Sequence, residues 1–402
     1  MFFTLSADSA AALATEAAAL AGKVESSTEP LFALAAELAD RPHGPHRAAV
    51  VADDRDTLVG RLRAIAADEP GNGIAVGRAR SATRPVWVFS GHGSQWAGMG
   101  RELLAAEPAF AAEIDRLEPL IAAESGFSLR AALSGEIDRI DQVQPTVFGM
   151  QLGLAATWRS YGSEPAAVIG HSMGEAAAAV VAGALSAADG VAVICRRSRL
   201  MRRLSGSGAM AMVALPGEVV AAELADRPEV TIAALSAPTS TVVAGDTVRV
   251  RALVDAWTAR DLMARIVPVE VASHSPQVDP ILADIAAELG DLRPAPSRVH
   301  IYSTVLPDPR AAASFDAGYW VDNLRQPVRF GAAVRAALAD GHDIFVELSP
   351  HPLLVHAVRE NADTSGHEAT VLSTIRRGGN AALRFRTQAG ALHCAGGTIT
   401  WP

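Results

Sequence analysis

The sequence predicts an α/β protein with a parallel β-sheet. Two apolar segments, Pro85–Ser90 and Ala166–Gly170, each run into a glycine-rich turn that is followed by helix-forming sequence. A third stretch, over 209–271, places short apolar and helical segments in the order β-α-β-β-α-β. Strands that alternate with helices favour a parallel sheet, and the third stretch is typical of a ferredoxin-like unit that forms a compact subdomain.

The composition describes a chain that can bury a large core. Its 402 residues are enough for two to four domains, and 50% of them are hydrophobic. The net charge is −9, from 35 basic and 44 acidic residues without a long basic run, so neither nucleic acid nor a membrane surface is an expected partner. Cys195 and Cys394 do not make a disulfide framework, and the first residues lack the pattern of a secretory leader. We therefore expect a cytoplasmic protein.

A single lysine narrows the possible mechanisms. Lys23 lies in an N-terminal helical stretch, far in sequence from every glycine-rich turn. A Ser-Lys dyad, a phosphate-loop lysine and a Schiff-base lysine are therefore not expected. Metal binding is not expected either, because His43 and His46 share a Pro/Gly turn that has no cluster of cysteines or carboxylates beside it.

The first 84 residues predict a small α/β unit of their own. Ser9 is placed to cap the first helix. Strands are predicted at 2–6, 46–51 and 73–76, and helices at 9–22, 29–39 and 55–67, before a polar linker at 77–84.

The segment Ala166–Glu175 carries the strongest chemical signal. It reads AAVIGHSMGE, in which an apolar strand breaks into Gly-x-Ser-x-Gly and continues into alanine-rich helix. A nucleophile elbow needs this order, because the glycines allow a sharp turn that projects Ser172 in front of a helix N-terminus. The alternative is a turn of small residues that happens to contain serine, and the flanking strand and helix favour the nucleophile.

The other glycine-rich turn, Gly91–Gly100, also follows a strand. Such a turn can direct backbone N–H groups at a ligand, as the second donor of an oxyanion hole requires. Phosphate binding is the competing interpretation, but the later glycine and the downstream acid of a dinucleotide site are missing. Helices are predicted to follow at 101–123 and 143–161.

Five arginines lie within the eight residues Arg196–Arg203. A solvated helix face would account for most of them. Adjacent helical residues point about 100° apart, so the segment cannot expose every arginine while it buries Val193, Ile194 and Leu200. One arginine that faces inward, toward Ser172, would bind an anion.

The chain after the ferredoxin-like unit returns to alternating helices and strands. Helices are predicted at 280–289 and 331–339, strands at 299–304 and 344–347, and an extended tail at 376–402. The last strand of the ferredoxin-like unit, predicted at 264–271, leads to His274, which precedes a helix capped by Ser275.

A serine nucleophile needs a general base, and the chain has 11 histidines. The position of His274 at a corner between strand and helix makes it the preferred base. His171 is set aside because it neighbours Ser172 on a turn, and the histidines of linker and tail sequence are set aside as well. The residues alone leave four others open: His300, His342, His351 and His356.

Five sequence blocks together resemble a known family. They are Gly91–Trp96 (GHGSQW), Gly170–Glu175 (GHSMGE), Val271–Ser275 (VASHS), Tyr319–Phe330 (YWVDNLRQPVRF) and Glu347–Pro352 (ELSPHP). In this order they are similar to the acyltransferase domains of modular type I polyketide synthases.

The resemblance implies a domain organisation for the whole chain. Residues 1–84 would be the linker domain between ketosynthase and acyltransferase, and 376–402 the linker after the acyltransferase. A large α/β-hydrolase-like subdomain would comprise 85–208 and 274–375, with the ferredoxin-like small subdomain inserted at 209–273.

The resemblance also implies roles for individual residues. Ser172 would be the nucleophile and His274 the base, with the backbone N–H groups of His92 and Met173 as the oxyanion hole. Arg197, rather than its neighbour Arg196, would bind the free carboxylate of a malonyl-type acyl group. The backbone carbonyl of Asn323 would orient the catalytic histidine. The family usually has glutamine in place of His92, a change that a backbone donor tolerates.

The implied reaction moves an acyl group from acyl-coenzyme A to the phosphopantetheine thiol of an acyl carrier protein, in polyketide or complex lipid biosynthesis. No cofactor or metal ion would be bound by this domain, and the adjoining ketosynthase domain would be its neighbour. Ala272 and Ser273 match the pattern of methylmalonyl-selective domains, while Val271 and Met173 depart from it. The alternatives are a malonyl-selective acyltransferase, a serine thioesterase or hydrolase, and a docking module without activity.

Overall fold

The computed structural model describes residues 1–80 and 84–401. The N-terminal unit comprises β1 (Phe2–Ala7), α1 (Ala10–Ser26), α2 (Leu31–Ala39), β2 (His46–Val51), α3 (Arg55–Ala66) and β3 (Ile74–Arg78). Its three strands form an antiparallel sheet in the order β1-β2-β3. Ser9 caps α1 as predicted, because its hydroxyl accepts the backbone N–H of Ala12 at 3.1 Å. The predicted linker at 77–84 begins inside β3 and lies partly outside the described residues.

The chain then builds the first half of the large subdomain. Its elements are β4 (Val86–Phe89), α4 (Arg101–Ala106), α5 (Pro108–Ser125), α6 (Leu129–Ser134), α7 (Ile140–Ser160), β5 (Ala167–Gly170), α8 (Gly174–Val181) and α9 (Ala187–Met201). The helix predicted at 101–123 is divided at Glu107, because Pro108 cannot donate a hydrogen bond inside a helix and instead begins α5.

The inserted subdomain has the predicted ferredoxin-like topology. Its elements are β6 (Ala209–Val213), α10 (Gly217–Glu223), β7 (Val230–Ala237), β8 (Ser240–Gly245), α11 (Thr247–Thr258) and β9 (Ala264–Val267). The sheet is antiparallel in the order β7-β8-β6-β9. The final strand is shorter than predicted because Pro268, which lacks a backbone N–H, follows it.

The second half of the large subdomain completes a parallel sheet. Its elements are α12 (Asp279–Glu288), β10 (His300–Tyr302), α13 (Ala317–Arg325), α14 (Phe330–Ala339), β11 (Ile344–Leu348), α15 (Val355–Thr364) and β12 (Thr370–Ser373). The strand order is β10-β5-β4-β11-β12, and all neighbours are parallel. Because Phe89 lies opposite Gly170, the two glycine-rich turns leave the sheet at the same edge.

The prediction of an extended tail at 376–402 is wrong. A helix, α16 (Ala381–Ala395), begins at the cap Asn380 and packs against the N-terminal sheet, where Cys394 contacts Ala49 and Ala75. The apolar side of this helix is formed by Phe385, Ala389 and Leu392, which lie at helical spacing. Arginines and glycines between and beside them obscure this periodicity in the sequence.

Two further properties concern membranes and metals. None of the helices in the described part of the chain has the length and apolar content that crossing a bilayer requires. Within residues 1–80 and 84–401, no group of three His, Cys, Asp or Glu side chains is arranged so that it could hold a metal ion.

Candidate active site

The predicted elbow lies between β5 and α8. Ser172 has a φ of +55°, a left-handed conformation that residues with a Cβ rarely adopt. The turn is so tight that a Cβ added at Gly170 would lie 2.3 Å from Glu175 Cα, and one added at Gly174 would lie 2.3 Å from Phe89 O. The two glycines are therefore sterically required, and the serine is held at the top of the turn.

His274 lies directly beside this serine. Its Nε2 is 2.8 Å from Ser172 Oγ, and its Nδ1 is 2.9 Å from the carbonyl oxygen of Gln326. Because a carbonyl can only accept, Nδ1 carries the proton and Nε2 accepts from the serine hydroxyl. Burial, with a smaller contribution from the charge of Arg197, lowers the pKa of His274 to about 3, so the imidazole is neutral at pH 7.

The residue expected to orient this histidine is corrected by the structure. The predicted group was the backbone carbonyl of Asn323, whereas the carbonyl that accepts from His274 belongs to Gln326. Gln326 is the first residue after α13 and has an extended backbone, which turns its carbonyl away from the helix axis. Pro327 gives the sequence signal for this, because proline restricts the preceding residue to extended conformations.

Asn323 instead acts through its side chain. Nδ2 donates to the Ser172 carbonyl at 3.2 Å and to Glu175 Oε2 at 2.8 Å, while Oδ1 accepts from Arg197 Nη1 at 2.8 Å. Glu175 was not among the residues predicted for the site. Its only signal was an acidic residue in an otherwise alanine-rich helix directly after the elbow.

The arginine that faces inward is Arg197. It is 2% exposed, and Nη2 lies 3.4 Å from Ser172 Oγ. Its neighbour Arg196 points the other way and forms ion pairs with Glu124 and Asp291, both at 2.7 Å. Burial lowers the pKa of Arg197 to about 10, against an opposing effect of Glu175, so the guanidinium keeps its charge at pH 7.

Two backbone N–H groups near Ser172 are available to a ligand. Among the described residues, no hydrogen-bond acceptor is found for the N–H of His92 or of Met173. Met173 directly precedes α8, and His92 follows β4 on the adjacent turn. The His92 ring contacts Gln95, and burial lowers its pKa to about 4, which leaves it neutral.

A cavity of about 130 Å³ opens above Ser172. The large subdomain supplies its polar groups, including His274 and Arg197. The insert and the segment that follows it supply an apolar wall. The residues predicted to set substrate preference, Met173, Val271 and Ser273, all belong to the lining. Lining residues that the sequence analysis missed are Ile140, Gln144, Met201, Met210, Ala234, Val242, Val267 and Val269.

Relatives of this chain are large synthases. It is 51% identical over 406 residues to a mycocerosic acid synthase-like polyketide synthase of Mycobacterium tuberculosis, covering 99% of this chain and 19% of that protein. It is also 51% identical over 404 residues to a phthioceranic/hydroxyphthioceranic acid synthase of the same organism, with the same coverage. The chain therefore spans about a fifth of the length of these curated relatives.

Solved structures show the same likeness. The acyltransferase domain from module 8 of the salinomycin polyketide synthase matches with a TM-score of 0.96 at 36% identity, covering 100% of this chain and 97% of that one. The acyltransferase domain of the polyketide synthase PpsC of Mycobacterium tuberculosis matches with a TM-score of 0.72 at 44% identity, covering 80% and 98%. Residues 86–398 match the family described as "Acyl transferase domain". This chain therefore belongs to the acyltransferase-domain family, in the branch found in polyketide synthases.

Proposed function

We propose that this domain transfers a malonyl-type acyl unit, with methylmalonyl preferred, from acyl-coenzyme A through an acyl-serine on Ser172 to the phosphopantetheine thiol of an acyl carrier protein. One observation carries the proposal. The Ser172 hydroxyl lies 2.8 Å from the unprotonated nitrogen of a neutral His274 and 3.4 Å from the guanidinium of Arg197. A nucleophile, its base and a carboxylate receptor thus meet at one oxygen atom.

The first half-reaction forms the acyl-serine. His274 Nε2 takes the hydroxyl proton while Ser172 Oγ attacks the thioester carbonyl. The developing oxyanion accepts from the N–H groups of His92 and Met173, and it lies near the positive end of α8. The intermediate collapses as the C–S bond breaks, and coenzyme A leaves with the proton that His274 returns to its sulfur.

The second half-reaction uses the same groups in reverse. The carrier-protein thiol gives its proton to His274 and attacks the acyl-serine carbonyl. The same two N–H groups stabilise the oxyanion, and Ser172 leaves with the proton from His274. Two successive transfers through one serine give ping-pong kinetics. The mechanism needs only groups of this chain and the two thiols.

Arg197 would hold the free carboxylate of the acyl group. A planar guanidinium can bind a carboxylate through two parallel hydrogen bonds, which fixes both its position and its direction. Acetyl groups lack the carboxylate, so they leave the remaining N–H donors of the buried guanidinium without an acceptor when they bind. This penalty supports selection of malonyl-type substrates.

The methyl preference rests on the cavity lining. Ser273 belongs to the lining next to His274 and leaves room that a larger side chain would fill. One methyl group in an apolar pocket contributes only about 1–3 kcal/mol, so we expect a preference over malonyl and not its exclusion. A malonyl-selective acyltransferase is the runner-up.

The partners follow from the relatives. Because those proteins are about five times longer than this chain, the carrier protein and a ketosynthase are proposed as neighbouring domains of one cytoplasmic synthase. The N-terminal unit and α16 pack together beside the large subdomain, which suits a linker at such a boundary.

Intact-protein mass spectrometry tests the proposal. The domain is incubated with a panel of acyl-coenzyme A esters, with and without a phosphopantetheinylated carrier protein. We expect a stable mass gain that matches methylmalonyl, and its transfer when the carrier is added. Rapid release of free acid without a carrier would instead identify a thioesterase, and a larger mass gain from malonyl in competition would reverse the preference.

A further inference from the structure

A carboxylate that the proposed chemistry does not use lies next to the nucleophile. Glu175 is 0% exposed and belongs to the first turn of α8, three residues after Ser172. The backbone N–H of Thr304 donates to its Oε1 at 2.7 Å, while Tyr319 Oη and Asn323 Nδ2 donate to Oε2 at 3.0 and 2.8 Å. Backbone and amide N–H groups can only donate, so both oxygens act as acceptors. Burial raises the pKa of Glu175, and the donors to its two oxygens oppose that rise and favour the ionised form. A charge this deeply buried is costly unless it is paired.

The charge that pairs with it belongs to Arg197, which it reaches through one amide. Asn323 turns Nδ2 toward Glu175 and the Ser172 carbonyl, and it turns Oδ1 toward Arg197 Nη1. Since two acceptors lie on one side of the amide and the donor on the other, only one orientation of the amide satisfies all three contacts. Glu175 also raises the pKa of Arg197, against the larger lowering by burial.

This connection leaves part of the guanidinium open toward the cavity. Arg197 Nη1 is held by Asn323, whereas Nε is buried and has no hydrogen-bond partner within the described part of the chain. Among the residues that the structure describes, the one hydrogen-bond contact of Nη2 is the long one of 3.4 Å with Ser172 Oγ. The guanidinium is therefore fixed at one nitrogen and has unused donor capacity at the others.

We propose that Glu175 is a positioning residue that favours carboxylated acyl groups, because it fixes Asn323 and through it directs the Arg197 guanidinium at the substrate carboxylate. The inference rests on the proposed function, in which Arg197 binds that carboxylate. A receptor that is already fixed loses little freedom when the substrate binds. Without the Glu175 charge, the donor side of the Asn323 amide keeps only the 3.2 Å contact with the Ser172 carbonyl, so the amide holds Arg197 Nη1 less firmly in one direction.

Glu347 provides a matched control elsewhere in the large subdomain. It is 2% exposed and lies in β11, where its carboxylate accepts the backbone N–H groups of Leu353, Leu354 and Val355 at 2.8–3.0 Å. Among the described residues, its hydrogen bonds do not lead to Arg197. It is thus the same residue type, equally buried and bonded, without a connection to the cavity.

The experiment compares covalent loading of Ser172 by methylmalonyl-coenzyme A and acetyl-coenzyme A in rapid-quench reactions. For Glu175→Gln we expect the half-saturating concentration of the carboxylated ester to rise about tenfold or more, as the loss of a charged hydrogen-bond network predicts, with little change for acetyl. The maximal loading rate should change much less than the half-saturating concentration. Glu175→Asp keeps the charge, so the half-saturating concentration of the carboxylated ester should rise less than in Glu175→Gln. Glu347→Gln should alter both esters by the same factor.

An equal change for both esters in Glu175→Gln would overturn the inference. If this variant does not fold, Asn323→Ala interrupts the same connection, and the same selective rise is expected; an equal change for both esters there also overturns the inference. Arg197→Ala separates the role proposed for Arg197 from the role inferred for Glu175. If that variant affects both esters equally, the proposed role of Arg197 fails; if it is selective while Glu175→Gln is not, the inference alone fails.

Discussion

The two walls of the cavity differ in kind. The wall from the large subdomain carries the polar groups, which are hydrogen-bonded and locally strained, with Ser172 and His274 at φ values of +55° and +61°, beside the apolar Ile140 and Met201. The wall from the insert is apolar and is formed by side chains of β6 to β9, among them Met210, Val242 and Val267. Strained polar geometry persists only where the surrounding fold determines it, which here is the edge of a buried parallel sheet. We infer that the first wall performs the chemistry and that the second contributes to the shape of the acyl pocket.

The two walls are connected through the backbone. Isolated β-bridges join Ser207 to Val271 and Ala234 of β7 to Val328. Val271 and Ala234 both line the cavity as well. Substitutions of Ser172 and His274 should reduce rates with every ester, whereas substitutions of Arg197 or of residues that face the apolar pocket should change the ratio between substrates.

The largest effect is expected from Ser172→Ala. Without the hydroxyl no acyl-enzyme can form, so covalent loading should disappear with every ester. Intact-protein mass spectrometry after incubation with methylmalonyl-coenzyme A measures this directly. Ser163→Ala, which removes a buried hydroxyl outside the cavity, is the matched control. Retained loading in Ser172→Ala would place the nucleophile elsewhere.

His274→Ala is expected to have the next largest effect. The serine loses its proton acceptor, and general-base catalysis contributes about 10²- to 10⁴-fold, so loading should slow by that factor for all esters. Rapid-quench rates at saturating substrate provide the measurement, with His342→Ala as the control outside the cavity. A decrease confined to one ester would argue that His274 shapes the pocket instead.

Arg197→Ala should give a selective loss. Removing a charged hydrogen bond costs about 1.5–3 kcal/mol, so specificity for methylmalonyl-coenzyme A should fall by roughly 10- to 150-fold while acetyl loading holds or rises. Arg196→Ala, which breaks ion pairs with Glu124 and Asp291 and a hydrogen bond to the Glu288 carbonyl on the other side of α9, is the control. If the Arg197 variant loses both substrates equally, its role is structural.

Ser273→Phe should mainly change a ratio. The ring would fill space next to His274, so the preference should shift toward malonyl by the roughly 5- to 150-fold that one methyl group contributes. Competition between the two esters, resolved by product mass, measures the shift. Val248→Phe adds the same ring on the exposed side of α11 and should leave the ratio unchanged. An unchanged ratio in Ser273→Phe would mean that this residue does not face the acyl group.

The smallest effect concerns pH. The base works in its neutral form, and burial lowers the pKa of His274 to about 3, so protonation should not stop loading until the pH is well below 6.5. Between pH 7.5 and 5.5 we expect a decrease of less than about twofold, whereas an unperturbed histidine would lose about tenfold. A rate profile with its midpoint near pH 6.5 would contradict the buried environment of His274.

Local signals predicted much of the fold correctly. The strand at 46–51, the Ser9 cap and the ferredoxin-like order of 209–267 follow from periodicity and capping chemistry, which act over a few residues. The tail was mispredicted because a helix whose apolar side packs on a distant sheet gives a weak local signal. The helix α15 and the strand β12 were also not predicted, because their sequences give no clear local signal.

The sequence by itself determined the elbow at Ser172, since its two glycines and the flanking strand and helix are encoded within ten residues. It also determined the family, through five blocks in order. Only the tertiary structure decided which carbonyl orients His274 and that Glu175 reaches Arg197 through Asn323. The physical reason is distance along the chain. Arg197 and Asn323 are 126 residues apart, and Asn323 and Glu175 are 148 apart, so no local pattern records their hydrogen bonds.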